Sequence, residues 1–248
     1  MGGALLENWK RGDETFTIVD PMLDSAPAGV RLFASRDDVS DQSFDVIVAA
    51  IKPQMIDDVM PDYAPMFTDD GYLLSIAAGC SIERLAKVSG GRPVVRVMPN
   101  LPAAIGAGVS ALCASEDASE AHLAHARTMM ERTGTVITVD DEDAIDRFTA
   151  VAGSGPGYVF ELARTYTQAA MDLGFAEDEA RAMVLGTLQG TIAMAAGSDR
   201  PLEELRNSVT SKGGTTAAGL DALNGEGQLT ALLSDTLQAA YDRAVELR

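Results

Sequence analysis

The sequence is short of the side chains that do chemistry unaided. Two cysteines, Cys80 and Cys113, and two histidines, His122 and His125, are spread through 248 residues. The cysteines lack CxxC spacing, which sets aside a zinc ribbon or a dithiol redox centre and leaves two buried thiols as the expectation. The histidines lie three apart in a polar, Ala-rich stretch without organised partners; they read as surface residues, and no metal is expected. Positive charge is scarce: 19 Lys and Arg stand against 37 Asp and Glu, a formal net charge of -18. That balance argues against nonspecific binding to nucleic acid or to an anionic membrane. No apolar run is long enough to span a bilayer and no secretory signal pattern is seen, so a cytoplasmic protein is expected.

Alternation is what the chain has instead. Thr15 to Val19, Val30 to Phe33 and Phe44 to Ile51 read as strands, the last a nearly continuous apolar run suited to a parallel sheet covered on both faces. A helix is expected from about Met55 to Met66, a strand at Tyr72 to Ile76, and a short helix to Val88 capped by Ser81. Further strands are expected at Pro93 to Met98, Val109 to Cys113 and Gly134 to Val139, with a helix from Ser119 to Arg132. Strands and helices at this spacing predict an α/β fold. Beyond Asp140 no strand is visible. Helices are read at Tyr158 to Leu173, Glu177 to Ala196, Leu202 to Val209, Gly214 to Leu223 and Leu229 to Leu247. The two domains are therefore placed at residues 1–143 and 144–248. The Ala-rich helix from Glu177 has few charges and reads as buried, most economically against a second subunit.

The first half points to a dinucleotide. Gly2-Gly3-Ala4-Leu5-Leu6 reads as the last glycine and the helix of a G-x-G-x-x-G turn, and Gly2 lies eighteen residues before Asp20 at the end of a strand. On this reading the first strand and first two glycines are expected upstream of Met1. Asp20 suits the free ribose hydroxyls of NADH better than the 2′-phosphate of NADPH; the bland alternative is a turn aspartate before Pro21. Lys52-Pro53 and Asn100 follow strand ends, where open sheets carry their cofactor loops, with ordinary solvated loops as the alternative.

In the second half, one stretch stands apart: Ser208-Val209-Thr210-Ser211-Lys212-Gly213-Gly214-Thr215-Thr216, followed by an apolar helix. Its glycines allow close backbone approach, its hydroxyls donate and accept, and the helix start offers free N–H groups to an anion. A plain capped turn between helices is the competing reading.

Taken together, Met1-Gly2-Gly3-Ala4, Ile51-Lys52-Pro53-Gln54, Val95 to Asn100, Gly153-Ser154-Gly155-Pro156 with Tyr158, and Val209 to Thr216 resemble the pyrroline-5-carboxylate reductase family along essentially the whole chain. The resemblance implies a Rossmann-like domain followed by an all-helical dimerisation domain. It implies reduction of the cyclic imine Δ1-pyrroline-5-carboxylate to L-proline by NADH or NADPH, in a homodimer often assembled into rings of dimers. Cofactor contacts are implied at Met1, Gly2, Asp20, Lys52, Pro53 and Asn100. Substrate contacts are implied at Ser211, Lys212, Gly213, Gly214, Thr215 and Thr216, with Thr216 at the imine nitrogen and Thr215 as helper. Asp20 departs from the pattern, since many members carry a small or basic residue there. Two alternatives stay open: another imine or β-hydroxyacid reductase on the same plan, and a structural homodimer without cofactor. The β-hydroxyacid enzymes lean on a helical lysine, and the helical half here has almost none.

Overall fold

The computed structural model describes residues 1–248 and divides into two compact units, Met1–Pro156 together with Ala240–Arg248, and Gly157–Ala239.

The first unit is an α/β sandwich. In chain order it holds α1 (Gly2–Trp9), β1 (Thr17–Val19), β2 (Arg31–Phe33), β3 (Phe44–Ala49), α2 (Ile56–Val59), β4 (Phe67–Ser75), α3 (Ile82–Val88), β5 (Val94–Pro99), β6 (Gly108–Ala114), α4 (Glu120–Glu131), β7 (Gly134–Thr138) and α5 (Glu142–Phe148). Strands β3 to β7 form one sheet in sequential order, and β1 and β2 form a separate parallel pair. All neighbours in the large sheet are parallel except β5 and β6. The exception follows from chain length: only a short 3-10 turn, Leu101–Ile105, joins those two strands, and a parallel return needs a dozen or more residues.

Strand alternation sorts the side chains into two cores. Leu74, Val95 and Leu112 face one way and meet Leu5 and Trp9 of α1 and Ala126, Met129 and Met130 of α4. Leu73 and Val94 face the other way, against Ile56 of α2 and Leu85 and Val88 of α3. Ala111 and Cys113 continue that face onto Ile145 and Phe148 of α5. Fully burying each such large apolar side chain is worth roughly 1.5–3 kcal/mol.

Several expected elements hold to within a residue or two. The Ser81 hydroxyl accepts the Arg84 N–H, capping α3 as read. The helix expected over 55–66 is not one helix: α2 is a single turn flanked by 3-10 turns at Pro53–Met55 and Met60–Met66. Pro61 and Pro65 remove donors that a continuous helix needs. The histidines are not merely surface residues. His125 Nδ1 lies 2.9 Å from the buried Tyr72 hydroxyl, and His122 stacks on the Tyr72 ring while its Nε2 reaches the Asp70 carbonyl.

The second unit is all helical: most of α6 (Gly155–Asp172), α7 (Glu177–Ala196), α8 (Leu202–Ser208), α9 (Thr215–Asn224) and the first part of α10 (Gln228–Leu247). Its only buried apolar side chains are Ala180 and Val184, while Phe160, Ile192 and Met194 are 63%, 66% and 74% exposed. Within a single chain α7 thus leaves most of its apolar side chains uncovered.

The sequence boundary at 143/144 and the compact units differ. Helix α5 packs on the sheet through Ile145 and Phe148, and Glu142 pairs with the buried Arg96 of β5 at 2.7 Å. The last turns of α10 also belong to the first unit: Tyr241 donates to Asp143 at 2.6 Å and Arg248 lies 3.3 Å from the buried Asp146. No helix is long and apolar enough to cross a membrane.

Candidate active site

Each unit carries one part of the candidate machinery. In the first, α1 begins after Met1 without a side-chain cap, so the N–H groups of its first turn remain free for an anion. A Cβ at Gly2 would stand 2.8 Å from Ala50 Cβ, so only glycine lets the helix start lie this close to the carboxyl end of β3. At Gly3 the space beyond the backbone is open. This cradle fits a pyrophosphate, and the dipole of α1 favours negative charge there.

Asp20 closes β1 and is half-buried. Its Oδ1 accepts the N–H of Met22 at 2.8 Å, an Asx turn that fixes the carboxylate. The turn reading is thus present in the structure. Lys52, just past β3, is exposed and ends its strand against Pro53. The loop is held from the side: Arg84 Nη2 donates to the Pro53 carbonyl at 3.0 Å while the same guanidinium grips Asp57 with Nε at 3.0 Å and Nη2 at 2.8 Å. Nothing in the residue pattern around Lys52 announces Arg84; only the packing of α3 brings it there.

Asn100 ends β5 but is 7% exposed, not a solvated loop residue. Its Nδ2 donates to the Ala152 carbonyl at 3.1 Å, and its Oδ1 accepts the Val109 N–H at 2.9 Å. The side chain at which a cofactor contact is implied is engaged in joining three pieces of the unit.

Both thiols are buried and unpaired by disulfide. Burial pushes the Cys80 pKa up, and burial with the nearby Glu142 carboxylate pushes that of Cys113 up to about 11. Neither is a thiolate nucleophile near neutral pH.

In the second unit, Ser211 to Gly214 make a tight turn into α9. Gly214 N–H donates to the Ser211 carbonyl at 3.0 Å, and Gly213 adopts φ 74°, the left-handed region. Any side chain at Gly214 would collide with Ser211 Oγ. Gly214 is the N-cap of α9 and gives no side-chain cap. The first N–H groups of Thr215 and Thr216 therefore point out of the helix end, and both side chains are exposed. Ser208 and Thr210 are not free to join them, because their hydroxyls donate to the Leu205 and Arg206 carbonyls.

A sheet with an uncapped glycine start to its first helix and loops at the carboxyl ends of its strands, followed in the chain by a helical unit with a glycine–threonine turn at an uncapped helix start, is the plan of a nicotinamide-dependent oxidoreductase of the two-part kind. Residues 142–247 match the family described as Pyrroline-5-carboxylate reductase dimerisation. The chain is 39% identical over 204 residues to the pyrroline-5-carboxylate reductase of Pseudomonas aeruginosa, covering 82% of this chain and 74% of that protein. It is 32% identical over 219 residues to the Pisum sativum enzyme of the same name, covering 88% and 79%. Among solved structures, the Coxiella burnetii pyrroline-5-carboxylate reductase superposes with a TM-score of 0.89 at 29% identity, over 99% of this chain and 94% of that one. The Plasmodium falciparum pyrroline carboxylate reductase, solved with NADP bound, gives 0.85 at 25% identity, over 100% and 94%. This chain belongs to the pyrroline-5-carboxylate reductase family.

Proposed function

We propose that the chain reduces Δ1-pyrroline-5-carboxylate to L-proline with NAD(P)H as reductant. The observation that carries this reading is the Ser211–Thr216 turn, a glycine-tightened anion site at an uncapped helix start, in a chain of this family. The cofactor, when bound, supplies the hydride; the chain's own residues bind and orient. The N–H groups around Gly213 to Thr215 hold the substrate carboxylate, assisted by the Ser211 hydroxyl and the charge of Lys212. Thr216 Oγ1 accepts from the protonated imine nitrogen and fixes the ring so that its electrophilic carbon is presented in one orientation, with Thr215 as a second hydroxyl. A protonated imine is already a good hydride acceptor, so positioning matters more than acid strength. Thr216 or a water then exchanges protons with the product amine.

In the first unit, the start of α1 at Met1 and Gly2 takes the pyrophosphate, Lys52 and Pro53 flank the bound cofactor, and Asp20 receives the adenosine ribose. A carboxylate there welcomes a 2′-hydroxyl and repels a 2′-phosphate, which favours NADH. The exposed apolar side chains of α6 and α7 support a homodimer built through residues 156–196; a cytoplasmic location and rings of dimers as the larger assembly follow from the family resemblance alone.

Imine-dependent loss of nicotinamide absorbance, with L-proline as product, is the expected result for the purified protein. Absence of turnover with both NADH and NADPH would sink the reading. Fluorescence titration with each nucleotide separately tests the preference, and equal affinity for the two removes Asp20 as a selector.

A further inference from the structure

The segment between α5 and α6 is a π-helical turn, Thr149–Gly153, closed by a Ser154 N–H to Thr149 carbonyl bond of 2.8 Å. π-turns are rare and cost regular hydrogen bonding, so each needs a cause. Just past this turn stands a residue that cannot donate to the carbonyls behind it. In an α-helix the carbonyl of Ala152 would accept the amide of residue 156, and residue 156 is proline. Pro156 has no N–H, and its ring crowds the carbonyl four residues back. The Ala152 carbonyl would be orphaned in a half-buried position, at a cost comparable to a lost hydrogen bond. The Asn100 amide supplies the missing donor at 3.1 Å. Its other end is fixed by Val109 at the start of β6, so the amide cannot turn away without losing a second bond. Met98 of the same strand closes the contact, since a Cβ on Gly153 would lie 3.1 Å from Met98 Cε.

We infer that Asn100 is a positioning residue that holds the π-turn ahead of α6, rather than a ligand of the cofactor. The turn carries one residue more than an α-helix would. Losing it changes the helical phase at Gly155 and Pro156, the first residues of α6, by about 100° about the helix axis. The turn lies immediately before Pro156, where the chain leaves the first unit. Hydride transfer requires the reacting atoms about 3–3.5 Å apart and aligned, so catalysis registers small displacements that binding tolerates.

The inference rests on the proposed imine reduction for its kinetic arm only. For Asn100→Ala in the full-length protein, hydrogen exchange at the Ser154 amide is expected to accelerate at least tenfold. NADH affinity, measured by fluorescence titration, stays within about twofold, and kcat/KM for the imine falls by roughly 10–100-fold. Loss of nucleotide affinity in step with activity overturns the inference, because it makes Asn100 a cofactor ligand. Unchanged Ser154 exchange overturns it too, as does faster exchange with unaltered kcat/KM. If the wild-type protein shows no imine reduction, the functional reading fails, and Ser154 exchange still decides whether Asn100 holds the turn. Pro156→Ala provides the comparison should Asn100→Ala fail to fold. It returns an N–H to Ala152, so adding Asn100→Ala in that background should change Ser154 exchange little; a full-sized effect there overturns the coupling.

Discussion

Arg132 Nη1 and Nη2 meet the two carboxylate oxygens of Glu14 at 2.6 Å and 2.9 Å, and Nη1 also donates to the Trp9 carbonyl at 3.0 Å. One guanidinium just past α4 thereby closes the end of α1 and holds the turn leading into β1. The bidentate bond holds the Glu14 carboxyl below its ordinary pKa. A carboxyl lowered in the folded state stabilises fully above its unfolded value of about 4.3 and loses that contribution as pH falls through the folded value. Glu14→Gln should therefore cost about 1–3 kcal/mol near neutral pH. Its stability should also fall less steeply than the wild type's on acidification from about pH 5 to 3. Parallel acid profiles in urea unfolding would remove Glu14 as a contributor to acid sensitivity.

The Arg96 and Glu142 pair is the more exposed to mutation, since Arg96 is 3% exposed and Glu142 Oε1 also accepts the Ile82 N–H. Removing the carboxylate by Glu142→Ala strands a buried positive charge, at a cost of about 3–5 kcal/mol. Replacing both partners with apolar residues, as in Arg96→Met with Glu142→Leu, should cost clearly less. Chemical denaturation of the three proteins decides the order.

Thr216→Ala is expected to reduce kcat/KM for the imine by about 10²-fold, a loss of close to 2.7 kcal/mol of transition-state stabilisation. Thr216→Ser should retain much of the rate, because the hydroxyl is kept. NADH affinity should not move in either variant. Full turnover by Thr216→Ala would take the residue out of the reaction.

Asp20→Ser should shift preference towards NADPH by removing the charge that opposes a 2′-phosphate. A serine hydroxyl can still accept the Met22 N–H, so the turn at the end of β1 is kept. The ratio of the two nucleotide dissociation constants is the measurement, and a ratio that does not change refutes the assignment.

Gly213→Ala places a side chain on a φ of 74° and should cost about 1–2 kcal/mol of local strain, with weaker binding of the imine carboxylate. The KM for the imine should rise more than kcat falls. An unaffected KM would mean that the turn is not the carboxylate site.

Most elements and the family could be read from the chain because their signals are local: apolar runs for strands, Ser81 before Ile82 for a cap, and glycines beside threonines for the α9 turn. What escaped depended on contacts between distant residues. His122 and His125 look solvated in a polar stretch, yet Tyr72, some fifty positions earlier, presents a hydroxyl and a ring to them. Asn100 looks like a loop donor until Ala152 arrives beneath it. Pro156 is plain in the sequence, but its missing N–H says nothing about which side chain compensates.

The return of Ala240–Arg248 to the first unit bears on the order in which the protein can mature. Tyr241 closes on Asp143 across 98 residues, and Leu247 presents its carbonyl 2.6 Å from where a Cβ on Gly79 would stand. As the chain emerges from the ribosome, the sheet is synthesised early but its final turns arrive only after all the intervening helices. Its completion therefore carries the loop-closure cost of the entire helical segment, and contacts of such separation form slowly. A nascent chain stopped before Ala240 would display a sheet unit lacking its closing helix turns.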